Sequence, residues 1–158
     1  MPVAKKAIVG SDHAAVSAKR LVIEALGSAG LLVEDVGPDN AEAVDYPDYA
    51  VRVASAVADG RADFGVLLCG SGIGMSIAAN KIAGIRAALV HDVTGAKLSR
   101  QHNDANVLVL GGAMLGERLI TEILDTWLNT DFAGGRHERR VEKIAELERD
   151  AHGSRRKQ

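Results

Sequence analysis

Cysteine is almost missing from this chain: Cys69 alone in 158 residues. One cysteine closes no internal disulfide and builds no multi-cysteine metal site, which excludes a disulfide-stapled secreted framework and a zinc ribbon. Aromatic residues make up 3% of the chain, too few for a stacking platform on single-stranded nucleic acid. Neither sign of charge is in excess: 19 Lys+Arg face 21 Asp+Glu, a net −2. A surface given over to a polyanion is therefore excluded. No segment approaches the ~20 apolar residues of a membrane span, and no targeting signal precedes the first apolar run. The expected compartment is the cytoplasm, with neither nucleic acid nor membrane as partner.

What is present is a length and an apolar content (47%) that suit one domain with a sizeable core. Short apolar runs alternate with helical patterns. Ala7-Ile8-Val9 is the first strand, and Ala14 to Ala29 the first helix. Leu31-Leu32-Val33 with Val36 is the second strand. Asp45-Tyr46-Pro47 opens the second helix, with Asp45 as its cap, and Gly60 stops it. Phe64 to Leu68 is a strand ending in Cys69. Met75 to Lys81 is a short helix, Ile85 to Val90 a strand and Thr94 to Gln101 a helix. Val107 to Leu110 is the fifth strand and Glu117 to Leu128 its helix.

Five strands, each followed by a helix and apolar on both faces, read as an α/β chain. The expected fold is a single doubly wound, three-layer, Rossmann-like domain with a five-stranded parallel sheet. Ligands of such folds lie beyond the carboxyl ends of the strands. Those ends carry Asp12-His13, Cys69 with its glycine loop, His91-Asp92 and Gly111-Gly112.

Residues 136–158 differ in character, with eight Lys+Arg against five acids. Val141, Ile144, Leu147 and Ala151 put an apolar stripe on this tail helix, and a partner subunit is one surface it could lie on. The expected organisation is a domain over 1–132, a basic helix over 133–152 belonging to that domain and to a dimer interface, and a frayed end over 153–158.

Cys69 ends a strand and is followed at once by Gly70-Ser71-Gly72-Ile73-Gly74 and a helix. Amides and helix dipole at that place favour a thiolate. The bland reading is a buried structural cysteine, and the position tells against it. The loop is no dinucleotide fingerprint, because Met75 stands where glycine is needed. It is no P-loop either, since Met75-Ser76 follows Gly74. What remains is a set of close-packed amides fit to stabilise an oxyanion or enediolate, or else a tight turn. None of the five histidines has the i, i+4 spacing of a helical zinc pair, so no metal is expected. Arg136 and Arg140, four apart, could grip a phosphate. From periodicity alone their run reads as a solvated face paired with Glu138 and Glu142.

Ser11-Asp12-His13-Ala14, Asp45-Tyr46-Pro47 and the stretch from Cys69 to Lys81 together resemble ribose-5-phosphate isomerase type B. So do Gly84 to Ala88, Leu98 to Asn106 and Gly134 to Val141. The resemblance covers about residues 7–145. The wider family includes isomerases of allose 6-phosphate, galactose 6-phosphate and shorter sugar phosphates.

It implies an aldose–ketose isomerisation without metal or organic cofactor, most simply between ribose 5-phosphate and ribulose 5-phosphate. It further implies Cys69 as the base at C1 and C2, and Gly70, Ser71, Gly72, Ile73 and Gly74 as donors to the enediolate. His102 would open the furanose ring with Asp12. Tyr46 and Asn103 would line the sugar, while His13, Arg136 and Arg140 hold the phosphate. It implies a homodimer with shared active sites, with a tetramer as the alternative assembly. One departure stands out. Ala113 occupies the place after the fifth strand where the family usually has a phosphate-binding arginine, and Arg118 and Arg139 are the candidates to compensate. A non-catalytic phosphosugar- or nucleotide-binding module is the reading from another class.

Overall fold

A computed structural model describes residues 4–155. The three central strands, β1 (Lys6–Ser11), β3 (Phe64–Cys69) and β5 (Val107–Gly111), are almost wholly buried and apolar but for Lys6 and Ser11 at the two ends of β1. Runs of that kind pair in parallel only if helices cover both faces. The remaining strands, β2 (Leu32–Asp35) and β4 (Ala87–Leu89), close the two edges. All pairings are parallel, in the order β2-β1-β3-β5-β4. β2 departs from the expected apolar pattern. It ends in exposed Glu34 and Asp35, and Leu32 is 59% exposed. Charge on a solvated edge strand discourages further pairing, and Glu34 is bridged to Lys6 at 2.6 Å.

One turn of 3-10 helix (His13–Ala15) leads into α1 (Val16–Ser28). The other helices are α2 (Tyr46–Ala58), α3 (Ile73–Ala79), α4 (Val93–Asn103), α5 (Glu117–Leu128) and α6 (Arg136–Arg155). Alternation along each strand sorts the core in two. Val9, Val66, Leu68, Leu108 and Leu110 pack with α1, α4 and α5. Ile8, Leu67, Cys69, Val107 and Val109 pack with α2 and α3. The result is three layers, as the right-handed crossover requires. Cys69 therefore faces the α2/α3 side.

Several boundaries shift from their expected places. α3 begins at Ile73, so the end of the glycine loop is already its first turn. α4 runs on to Asn103, so His102 and Asn103 belong to its last turn rather than following it. Asp45 does precede α2, but its side chain makes no capping bond. α6 continues to Arg155. Residues 156–158 of the end expected to fray lie outside the described residues. The stripe on α6 is partly used at home. Val141, Ile144 and Ala145 line a small hollow with Gly84, Ile85 and Arg86, and Leu147 stays 69% exposed.

Candidate active site

The strand order reverses between β1 and β3, and the crevice of a doubly wound sheet opens there. Ser11 pairs with Leu68, which sets Asp12 and Cys69 side by side, about 4.8 Å apart strand to strand. The Asp12 amide donates to the Leu68 carbonyl at 3.1 Å. Its carboxylate accepts from the Ala14 amide at 3.0 Å, capping the 3-10 turn. Asp12 is 8% exposed.

The Cys69 sulfur, also buried, accepts the Gly72 amide at 3.1 Å. Gly72 adopts φ +77 to make that turn. A Cβ there would meet Leu89 at 2.5 Å and the Leu110 carbonyl carbon at 3.0 Å. The loop is tied to β5 from beneath: Gly112 donates to the Cys69 carbonyl at 2.8 Å and Ala113 to that of Gly70 at 3.1 Å. Among the described residues no acceptor serves the amides of Gly70 and Ser71. They are free to donate to a ligand. The Ser71 hydroxyl accepts from Ile73 at 3.3 Å and keeps its own proton to offer.

Tyr46 lies across the loop. A Cβ on Gly74 would stand 2.5 Å from the phenol ring, so this close approach requires glycine. His13 Nδ1 accepts the Val44 amide at 3.2 Å, which leaves the proton of the neutral ring on Nε2. The intervening turn is held by Lys19, a residue that sequence pattern had not marked. Its ammonium is 1% exposed, 2.6 Å from Asp35 and 2.7 Å from the Pro38 carbonyl. Asp12, His13, Tyr46, Cys69 and the loop from Gly70 to Gly74 thus form one cluster at the carboxyl pole.

His102, Asn103, Arg136 and Arg140 do not join them within the chain. α4 starts at the carboxyl pole after Asp92 and ends at the amino pole, where β5 begins. Its 11 residues span about 16 Å. Its far end is locked by Arg86, which donates to the carbonyls of Asn103 and Asp104 at 3.0 and 2.8 Å. Arg100 adds bonds to Asp104 at 2.9 Å and to the Ala105 carbonyl at 2.6 Å. Asn106 braces Arg86 in turn, its side-chain oxygen accepting the Arg86 amide at 2.8 Å. Part of the motif from Gly84 to Asn106 is therefore scaffolding for the end of α4.

The turn before α6 meets this end. Ala133 donates to the Gln101 carbonyl at 3.0 Å. His137 stacks on His102, ring centroids 4.1 Å apart and 9° from parallel. Burial first, then the neighbouring His102, Arg136 and Arg140, hold the His137 pKa below its ordinary value. Glu142, the expected partner of the basic run, pairs with Arg149 at 2.7 Å instead. Among the described residues Arg136, Arg139 and Arg140 are exposed and in no ion pair. Ala113 follows β5 at the carboxyl pole, where the resemblance implies an arginine. Arg118 is exposed and held by Glu122 at 2.8 Å.

The chain thus carries two polar clusters at opposite poles: a cysteine under free amides, and a cationic ledge with two histidines. A cleft of about 610 Å³ opens at the amino pole between Phe64, Arg86, Arg100 and Trp127 and takes in neither set. No group of His, Cys, Asp or Glu among the described residues could hold a metal ion, and no helix is long and apolar enough to cross a membrane.

A family model described as ribose/galactose isomerase matches residues 7–144. The chain belongs to the ribose/galactose isomerase family. Ribose-5-phosphate isomerase B of Escherichia coli is 47% identical, over 91% of this chain and 97% of that one. Among solved structures, ribose-5-phosphate isomerase B of Clostridium thermocellum superposes with a TM-score of 0.91 at 47% identity, over 92% of this chain and 99% of that one. The Mycoplasma genitalium enzyme, solved with bound ribulose-5-phosphate, gives 0.89 at 39% identity, over 94% of this chain and 99% of that one. Family membership and the parallel α/β fold thus agree with the reading from motifs. The similarity spans the sheet and the start of α6, and so includes both clusters.

Proposed function

We propose that this member of the family interconverts D-ribose 5-phosphate and D-ribulose 5-phosphate, at a site completed by a second copy of the chain. The observation that carries the reading is the division of polar groups between the poles. The cysteine pole has a base and oxyanion donors but few cations. The α4–α6 ledge has free guanidiniums and an imidazole but no base beside an amide loop. A phosphorylated sugar needs both. Exposed Ile73 and Ile77 on α3 and Val51 on α2 border the cysteine pole, and an apolar rim of this kind suits a subunit contact. In this reading residues 133–152 belong both to the domain and to the dimer interface.

The chemistry follows from the groups. His102 of one subunit protonates the ring oxygen as the C1–O4 bond of the furanose breaks. Asp12 of the other takes the proton of the anomeric hydroxyl, and the C1 carbonyl forms. The Cys69 thiolate then removes the C2 proton. The resulting enediolate spreads its charge over O1 and O2, where the amides of the Gly70–Gly74 loop and the Ser71 hydroxyl donate to it. Return of the proton to C1 and a shift of the hydroxyl proton from O2 to O1 give the ketose. The step is internally redox-neutral, so it calls for no cofactor. Tyr46 and Asn103 bound the sugar, while His13, Arg136 and Arg140 receive the phosphate. A phosphorylated, membrane-impermeant substrate suits the cytoplasm.

The test is a substrate panel of ribose 5-, allose 6-, galactose 6- and four-carbon sugar phosphates, read by NMR in deuterated water. We expect turnover of ribose 5-phosphate and exchange of deuterium into C1 of ribulose 5-phosphate. Preference for another sugar of the panel would move the substrate assignment within the family. Binding with no exchange on any of them would make the chain a phosphosugar-binding module and overturn the reading.

A further inference from the structure

His137 takes no part in the scheme above, yet it is the one buried group on the cationic ledge. Its ring is 8% exposed and lies flat against that of His102, at 4.1 Å and 9°. Three local features hold it there. Gly134 and Gly135 both take left-handed backbone conformations, φ +62 and +58, and turn the chain sharply into α6. The turn is pinned to the last turn of α4 through Ala133 and Gln101. The His137 amide closes back on the Gly134 carbonyl at 3.1 Å. His102, by contrast, is half-buried on the last turn of a helix, with no hydrogen-bond partner for its ring among the described residues. The stacked ring is what fixes its plane.

We propose that His137 is a positioning residue: it clamps the His102 imidazole in the one plane from which the proton reaches the sugar ring oxygen. The inference rests on the ring-opening role given to His102 above. The partners of the clamp suit it. Two stacked imidazoles are not cationic together, because like charges at that distance repel. His102 lies on one side of His137, and Arg136 and Arg140 are near it on α6. All three disfavour the protonated form of His137, as its burial does. In its neutral form His137 offers a flat π face, and the His102 ring lies against it. A free rotor at His102 would deliver its proton from many directions, and small misplacements of a catalytic group cost rate steeply.

The test compares His137→Leu, which fills the space without a π face, with His137→Phe, which restores one. Two rates are read on the full-length protein. One is turnover of ribose 5-phosphate, which must open its ring. The other is exchange of the C1 proton of ribulose 5-phosphate in deuterated water, a ketose that is already acyclic. For His137→Leu we expect kcat on ribose 5-phosphate to fall at least ~10-fold, with exchange within about 2-fold of wild type. For His137→Phe we expect kcat to recover most of the loss. Unchanged turnover in His137→Leu would overturn the inference. So would an equal fall of both rates, or equal losses in the Leu and Phe variants, which would make His137 a packing residue only. A wild-type protein that neither isomerises nor exchanges would instead sink the functional reading beneath it.

Discussion

At the scale of single residues, Cys69 is the group to which the proposed mechanism assigns the proton transfer. Its sulfur is buried, faces the α2/α3 layer and accepts an amide from its own loop. The residue was legible in sequence because a strand, a cysteine and a glycine loop followed one another without a gap. The three-dimensional reason for each glycine was not. Gly72 is needed for its backbone conformation and its closeness to Leu110, Gly74 for the ring of Tyr46. Lys19 was equally hidden, since its ion pair with Asp35 depends on a turn that no periodicity describes. Cys69→Ala removes one buried atom and should cost on the order of 1 kcal/mol of stability. It should fold, bind substrate and lose ~10²- to 10⁴-fold in kcat, in isomerisation and in proton exchange alike. Steady-state kinetics on the purified variant check this, and wild-type-like turnover would remove Cys69 as the base.

At the scale of elements, the alternation of strand and helix was readable throughout, because buried parallel strands are apolar on both faces. Edges and ends were less so. β2 carries charge because only one side of it is paired, and α4 is longer than its apolar pattern because its last turn is held by Arg86 and Arg100 from outside the helix. The direction of α4 is the more telling point. A helix linking two parallel strands must finish at the pole opposite to its start, so His102 could not share a pole with Cys69. The pairing of His137 with His102 left no mark in the sequence beyond two histidines 35 positions apart.

Burial of His137, with His102 and the arginines beside it, gives α6 a pH dependence. The His137 pKa is lowered in the folded chain, so the unfolded chain binds the proton first as pH falls through about 6.5. Stability contributed by neutral His137 is therefore complete above that value and is lost on acidification below it. Thermal unfolding between about pH 7.5 and 5 should show a fall in Tm, shallower in His137→Phe, which has no such proton to bind. Identical slopes in both proteins would contradict this.

At the scale of the whole molecule, one fold holds two separate clusters of polar groups. The cysteine pole and the cationic ledge stand about 16 Å or more apart along α4, too far for one five-carbon sugar phosphate to touch both within a chain. In the proposed dimer, closed two-fold symmetry would let each copy offer its ledge to the other's cysteine. The tail's surplus of positive charge would then supply the phosphate end of a neighbour's site.

The most direct measurement is complementation. In the proposed shared site, Cys69→Ala and Arg140→Ala would each disable one half. Co-expressed with different tags and purified together, the two chains form hybrid dimers with one site doubly impaired and one intact. A random mixture of subunits should recover about a quarter of wild-type kcat, and isolated hybrids about half, by the arithmetic of a two-fold dimer. Tag-verified hybrids no more active than the better of the two parents would contradict a site shared between subunits.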